Sequence, residues 1–334
     1  MVKNILILIL GAVLVFRIPS ADYSQEVENN LPISNPKIEQ LRNTFVEKTK
    51  LLLNDPYAGL LLGMVIGVKE EIPYSYNQAL KNTGVIHVVV VSGQNLTLLA
   101  GFILGLSQYL GRRKTIWISI CIVIFYIFLT GFQIPVIRAA IMFFMASFAK
   151  LYGREGDGVR VLILTALIML IINPLWLISI SFQLSFLATI GVVILAPEIV
   201  KKSTFIPEVL RQDLCVTVAA QIMTAPILAF YFNQFSFVGL LVNLLVLWTI
   251  PFIMIFGAIT LLVSLISTTL ASIVLLLPNT LLNYFVAIVD LFNKPWANSY
   301  INSFDIWQLI GIYVLILSLF LFVAHSKTLN EDEY

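Results

Sequence analysis

The chain has 334 residues, of which 59% are hydrophobic and only 11% are charged. Soluble domains carry about 25% charged residues, so this composition excludes an ordinary soluble domain and indicates an integral membrane protein. The formal net charge of +2 is too small to argue for or against a nucleic-acid partner.

The N-terminal part predicts a membrane anchor followed by an external polar segment. Residues 4–16 (NILILILGAVLVF) follow Lys3, and no convincing small-x-small cleavage signal comes after them, so we predict a retained anchor over 1–16. Residues 17–56 form the one sizeable polar stretch. Within it, 38–53 alternates apolar and charged residues at helical spacing, which is typical of a short amphipathic helix at the membrane interface.

Residues 57–325 form a predicted polytopic membrane domain. Its first apolar segment, 57–68, is too short to span a bilayer, which favours a re-entrant or interfacial piece. Longer apolar runs follow near 84–108, 115–131, 136–152, 159–177, 179–197, 214–232, 237–263, 269–289 and 306–324. With the anchor they make about ten spans. The predicted fold class is therefore an all-α integral membrane bundle that ends in a cytoplasmic tail over 326–334.

The basic residues predict the orientation of the chain in a bacterial inner membrane. From residue 84 onward the connections between spans alternate between the two sides of the membrane. One side is rich in basic residues, and the other carries a single basic residue, Lys294. The basic side carries ten Lys and Arg residues, in 111–114, 150–160 and 201–213 and at Lys327. Because basic loops stay in the cytoplasm, both termini are predicted to be cytoplasmic and 17–83 to be external.

The segment 83–102 (TGVIHVVVVSGQNLTLLAGF) carries polar residues where a membrane helix is expected. The pair Ser92 and Gly93 is a common place for such a helix to kink or break, so we predict a broken helix here. A break frees backbone groups that need partners, and Gln94, Asn95 and Thr97 could supply them. These polar residues either repair the break or line a cavity of the kind in which transporters place their binding sites.

His87 lies in the same segment, five residues before Ser92. On a continuous helix the two side chains point apart, which argues against a serine nucleophile activated by His87. Gln94 follows His87 by seven residues and would share its face of the helix.

The sequence lacks the common signatures of enzyme chemistry. It has no G-x-x-x-x-G-K phosphate loop and no H-E-x-x-H motif. Two histidines, His87 and His325, are too few for a histidine-rich metal centre. Cys121 and Cys215 lie in apolar stretches, which argues against a disulfide framework or a thiolate metal site. We therefore expect no enzyme activity, no catalytic residue, no metal and no cofactor.

Three further polar residues lie inside predicted spans. Arg138 is about one turn inside its span and either extends to the interface or faces a bundle interior or a water-filled path. Its planar guanidinium would suit an anionic solute, since it binds phosphate or carboxylate through two parallel hydrogen bonds. Gln183 and Gln221 either line the same path or belong to buried hydrogen-bonded seams.

Four segments resemble, in order and spacing, those of the ComEC-type competence membrane proteins. The first is the stretch with His87 and the Ser-Gly pair, and the second, 129–142, holds Thr-Gly-Phe and Arg-Ala-Ala. The third, 173–195, holds Asn-Pro and Phe-Gln-Leu-Ser-Phe, and the fourth, 219–245, holds the Pro, Phe and Asn of the family pattern. The resemblance covers roughly residues 56–265.

The resemblance implies a role in natural transformation, as an inner-membrane channel through which single-stranded DNA enters the cytoplasm. It implies a separate DNA receptor and a separate cytoplasmic ATPase or helicase motor as partners. Larger members add an external OB-type domain and a metallo-β-lactamase-like domain. Residues 17–56 are too few for the first, and the histidine count does not allow the second, so we expect a short form without its own nuclease. Many relatives have a second His where this chain has Asn95, so the role of that His does not carry over.

The expected function is a channel for single-stranded DNA without a motor or nuclease of its own. Its path is expected to be lined by His87, Ser92, Gly93, Gln94, Asn95, Arg138, Gln183 and Gln221. Two alternatives stay open: a secondary transporter for a small anionic solute, and a membrane scaffold that recruits a DNA-uptake motor through the basic loops. Assembly into a homo-oligomer also stays open.

Overall fold

A computed structural model of the protein describes residues 36–89, 92–105, 107–153, 157–204, 207–232, 234–236, 238–294, 298–300 and 305–331. The predicted anchor over 1–16 and the first part of the external segment lie outside these residues.

The first helices of the described chain are short. They are α1 Pro36–Leu52, α2 Tyr57–Ile66, α3 Tyr74–Asn82, α4 Ile86–Val89, α5 Gly93–Gly105 and α6 Ser107–Leu110. Helix α1 falls where the amphipathic helix is predicted, and it buries Phe45 and Thr49. Helix α2 has ten residues, of which all but Tyr57 are buried. Its length of about 15 Å is half of a hydrocarbon core, so a short, non-spanning segment is found here as predicted.

The central helices are longer. They are α7 Arg112–Thr130, α8 Ile134–Leu151, α9 Gly158–Ile172, α10 Ile180–Ile190, α11 Ala196–Lys202 and α12 Glu208–Phe232, with a 3₁₀ turn at Pro174–Ile178 and a π turn at Gly191–Leu195. Helix α7 ends at Thr130 and is followed by Gly131, whose φ of 76° lets the chain reverse before α8 begins. The carboxylate of Asp157 caps α9 by accepting the Val159 N–H at 3.1 Å.

The last elements include two short strands. They are β1 Gln234–Ser236, α13 Gly239–Val246, α14 Ile250–Ser264, α15 Thr268–Val274, α16 Leu276–Phe292, β2 Asn298–Tyr300 and α17 Ile306–Glu331, with a 3₁₀ turn at Leu247–Thr249. The strands pair antiparallel, with Phe235 opposite Ser299. Each has only three residues and the other regular elements of the described chain are helical, so the predicted all-α class is confirmed. The two strands lie in connections that the sequence predicts on one side of the membrane, the outside, and this orientation stays a prediction.

Five helical stretches in the described part of the chain are long and apolar enough to cross a membrane, or six if the bent pair α15–α16 counts as one span. The five stretches are Arg112–Thr130, Ile134–Leu151, Ile180–Lys202, Leu214–Tyr231 and Gly239–Ser264. The predicted count of about ten is therefore not confirmed. Helix α9, with 15 residues, is about 22 Å long and falls short of a hydrocarbon core of about 30 Å.

The predicted broken helix is present. Helix α4 ends at Val89, Ser92 is not helical, and α5 begins at Gly93. The first predicted span is thus divided, which is one reason why it does not count among the long apolar helices.

The apolar core has three parts. One contains buried residues of α1–α4, α13, α14 and α16, and a second contains residues of α9, α10, α12 and the start of α17. The third joins α5, α7 and α8, with Leu96, Val123 and Val136 at its centre. Helix α8 contributes to the second and third parts, so the space beside it is bordered by two separately packed groups of helices.

Candidate functional site

A cavity of about 950 Å³ lies beside α8, between α5, α7, α9 and α10. Its lining residues are Gly93, Thr97, Arg112, Arg138, Ala139, Met142, Phe143, Ala146, Lys150, Gly153, Gly158, Val161 and Thr189. Four of them, Arg138, Met142, Ala146 and Lys150, recur every four residues along α8. Residues at this spacing lie on one winding face of a helix, so the cavity follows α8 over most of its length.

Arg138 lies at one end of this cavity and points into the bundle. Its Nη1 donates to the carbonyl oxygen of Ser185 and to Oγ1 of Thr189, both on α10. Thr189 Oγ1 itself donates to the Ser185 carbonyl at 2.9 Å. The guanidinium therefore joins α8 to α10 instead of extending along the helix toward an interface.

The charge of Arg138 has no carboxylate partner within the ranges that the structure describes. Its buried Nε also has no hydrogen-bond partner there. A partly buried cation without an opposite charge is costly in a low-dielectric site, and an anion in the cavity would lower that cost.

Gly93 places the start of α5 directly against Arg138. A Cβ at this position would lie 2.5 Å from Nη2 of Arg138, 3.1 Å from Cβ of Ala139 and 3.2 Å from the carbonyl oxygen of Pro135. The absence of a side chain at Gly93 is therefore what allows the guanidinium to lie between α5 and α10.

Ser92 and Asn95 form hydrogen bonds at the break in the helix. Asn95 is buried, and its Nδ2 donates to the carbonyl oxygen of Met64 at 3.1 Å, while Ser92 Oγ donates to Asn95 Oδ1 at 3.1 Å. Met64 lies in the last turn of α2, whose carbonyls lack partners within the helix. The two residues thus connect the start of α5 to the end of α2.

The remaining predicted path residues lie away from this cavity or outside what the structure describes. His87 is exposed on α4, Gln221 is partly buried on α12, and neither belongs to the lining. Gln183 is buried, donates to the Leu177 carbonyl at 3.2 Å and accepts from the Tyr231 hydroxyl at 3.4 Å. The side chain of Gln94 lies outside the description. A path role stays a prediction for these four residues and equally for Ser92, Gly93, Asn95 and Arg138.

Sequence reasoning did not assign four polar lining residues to the site, namely Thr97, Arg112, Lys150 and Thr189. Arg112 and Lys150 belong to the basic connections. Thr189 follows Ser181 and Ser185 at intervals of four residues, and small residues at this spacing usually mark close helix packing. Nη2 of Arg112 donates to the carbonyl oxygen of Lys150 at 3.0 Å, so the two residues are held together at the end opposite Arg138. The available signal in the sequence was that Arg138 and Lys150 are twelve residues apart, three steps of four, on one predicted helix.

The described lining of the cavity is positively charged. Three of its lining side chains are cationic, namely Arg112, Arg138 and Lys150, and none of its described lining residues is acidic. Within the described ranges, no group of three or more His, Cys, Asp or Glu residues could hold a metal ion. The arrangement is suited to phosphate or carboxylate groups.

Comparison with known proteins gives the chain's family. The sequence model described as "Competence protein" matches residues 64–325. ComE operon protein 3 of Bacillus subtilis (strain 168) is 26% identical over 228 residues, which cover 67% of this chain and 28% of that protein. An uncharacterized protein of Aquifex aeolicus (strain VF5) is 31% identical over 206 residues, covering 61% of this chain and 47% of that protein.

A third relative, the uncharacterized protein YcaI of Escherichia coli (strain K12), is 25% identical over 210 residues, covering 59% of this chain and 28% of the relative. The chain thus spans less than half the length of each of these relatives. No solved structure matches. The family match covers most of the chain, the membrane-length apolar helices agree with it, and the chain is therefore a membrane protein of the competence protein family.

Proposed function

We propose that this protein is a channel for single-stranded DNA in the bacterial inner membrane, used during natural transformation. The observation that carries the proposal is the cationic cavity along α8, in a chain that belongs to the competence protein family and has ComE operon protein 3 of Bacillus subtilis among its relatives. DNA presents one phosphate charge per nucleotide, and a path with cations and no acidic side chain among the described lining residues would accept it without repulsion.

Within this function, each site residue has its own role. Arg138 contacts phosphate with the edge of its guanidinium that α10 leaves unused. Gly93 allows that guanidinium to reach the cavity, and Ser92 and Asn95 hold the broken helix in the position that forms the cavity wall.

The proposal requires partners. An inside-negative membrane potential opposes the entry of DNA by about 2.3 kcal/mol per charge per 100 mV. Because the sequence has no phosphate loop, a separate cytoplasmic ATPase or helicase would pull the strand, and a separate receptor would deliver it. In the proposed orientation, the basic connections and both termini face the cytoplasm.

The test is translocation of fluorescent single-stranded DNA into liposomes that contain the purified protein, driven by an imposed potential positive inside the vesicle. We expect Arg138→Gln to abolish passage, because it removes the partly buried cation at one end of the cavity. Arg113→Gln, which removes an exposed cation outside the cavity lining, is the matched control and should transport normally. Equal passage by the Arg138 variant and the control would disprove the role of Arg138.

A second candidate is a permease for a small anionic solute. The cavity volume of about 950 Å³ is within the usual range of small-molecule sites, which supports this alternative. Uptake of labelled inorganic phosphate or a small carboxylate by the same liposomes, with no passage of DNA, would favour it.

A further inference from the structure

We propose that Arg112 and Lys150 form a second phosphate-binding position, so that a single strand is held at two points along α8. This inference rests on the proposed function and specifies its substrate as an extended polyanion. It assigns a binding role to two residues at the basic end of the cavity.

The two positions are far apart along the same cavity. Lys150 follows Arg138 by twelve residues on α8, which corresponds to about 18 Å along the helix axis. Both residues line the cavity, and the hydrogen bond from Arg112 to the Lys150 carbonyl keeps the second cation at the same end.

The wall between the two positions offers little that would hold a phosphate. On α8 it consists of Ala139, Met142, Phe143 and Ala146. Strong binding midway would trap a moving strand, whereas two separated cationic positions allow a phosphate to leave one position while another is held. Transport requires sites that bind the moving strand strongly enough for it to enter and weakly enough for it to leave.

The separation distinguishes a polyanion from a small anion. At a rise of about 3.4 Å per stacked nucleotide, a distance of about 18 Å corresponds to about five nucleotides, and to fewer in an extended strand. A phosphate ion or a dinucleotide can therefore occupy one position only, and a longer strand can occupy both.

The experiment measures binding of fluorescent oligothymidylates of 2, 4, 6, 8 and 12 nucleotides, as a function of salt, to the protein in nanodiscs. For the unmodified protein we expect affinity to rise with length until both positions are reached and then to level off. The double variant Arg112→Gln/Lys150→Gln should lose this rise, while its affinity for the dinucleotide stays within about twofold. For the octamer, its slope of log affinity against log salt should fall by about 0.7 for each lost phosphate contact.

Two controls separate specific contact from general charge and from misfolding. Arg113→Gln/Lys114→Gln removes the same charge from neighbouring exposed positions that are not part of the cavity lining, and should keep the rise with length. Arg112→Lys/Lys150→Arg keeps both charges and should therefore keep the rise of affinity with oligonucleotide length.

The remaining outcomes overturn the inference in distinguishable ways. Equal losses in the two Gln double variants would show that only long-range charge contributes, and the second position would not exist. Binding to the unmodified protein that does not depend on length, but is lost in Arg138→Gln, would disprove the second position and leave a single anion site. Absence of any oligonucleotide binding by the unmodified protein would disprove the proposed function together with the inference.

Discussion

The Nη2 atom of Arg138 lies 2.5 Å from the place that a Cβ of Gly93 would occupy. The guanidinium therefore packs closely against the start of α5, on the face of α8 that lines the cavity. Its Nη1 donates to the Ser185 carbonyl oxygen and to Thr189 Oγ1 of α10. Three helices therefore meet at one side chain, and the space that it occupies depends on a glycine.

Replacement of Gly93 by alanine should impair the site. The added methyl group would displace the guanidinium, and forcing extra volume into a packed position costs about 1–3 kcal/mol. We expect Gly93→Ala to lower the thermal stability of the purified protein and to reduce DNA passage in liposomes. Gly101→Ala on the same helix is the control, because no atom lies within 4 Å of its added Cβ. If the two variants have the same thermal stability and the same DNA passage, the close packing of Arg138 against Gly93 contributes to neither.

Loss of the Asn95 side chain should destabilise the connection between α5 and α2. Asn95→Leu leaves the Met64 carbonyl without its amide partner, and an unsatisfied buried acceptor costs about 1–3 kcal/mol. Ser92→Ala should cost less, about 0.5–1.5 kcal/mol, because Asn95 keeps its bond to Met64. Unfolding by denaturant in detergent would compare the two variants, and a larger loss in Ser92→Ala would contradict this order.

The ion pair between Lys50 of α1 and Glu71 gives a prediction for alkaline pH. The hydrogen bond to Glu71 raises the pKa of Lys50 above its ordinary value, and the nearby charges of Glu71 and Asp55 act in the same direction. A raised pKa in the folded protein stabilises it below the unfolded pKa of about 10.4, and this stabilisation is lost as the pH rises through the folded value. The melting temperature should therefore fall more steeply with rising pH, above about pH 10.4, in the unmodified protein than in Lys50→Gln.

Because Lys50 is exposed, the effect should be small, and salt should weaken it. Parallel pH profiles for the unmodified protein and Lys50→Gln, measured at low salt, would show that the pair contributes nothing.

Cysteine labelling should decide the orientation in the membrane. The Asn82 side chain donates to Asn293 at 3.1 Å, which places the connections around these residues on one side, and both are predicted to be external. In a Cys121→Ser/Cys215→Ser background, Lys294→Cys should react with a membrane-impermeant maleimide in intact spheroplasts. Lys114→Cys should react only after permeabilisation. The reverse pattern would invert the proposed topology and place the basic end of the cavity outside.

The sequence alone determined the membrane character, the family resemblance and much of the helix pattern. Apolar runs reveal membrane helices strongly because hydrocarbon provides no hydrogen-bond partners for a non-helical backbone. The break near Ser92 and Gly93 was also predictable, since a Ser-Gly pair followed by two amides is a local signal. The predicted count of about ten spans is not confirmed by the five or six membrane-length helices in the described residues, because apolar composition does not show where a segment such as α9 ends.

The composition of the site depended on tertiary structure. Gln183 and Arg138 are both polar residues inside predicted spans. The side-chain amide of Gln183 is hydrogen-bonded to the Leu177 carbonyl and the Tyr231 hydroxyl. Arg138, in contrast, faces the cavity. Sequence spacing gives the face of a helix on which a residue lies, but it does not give the neighbour of that face. The meeting of Gly93, Arg138 and Thr189, from three helices, is therefore decided only when α5, α8 and α10 pack, because close contact between helices depends on the shapes of side chains far apart in the chain.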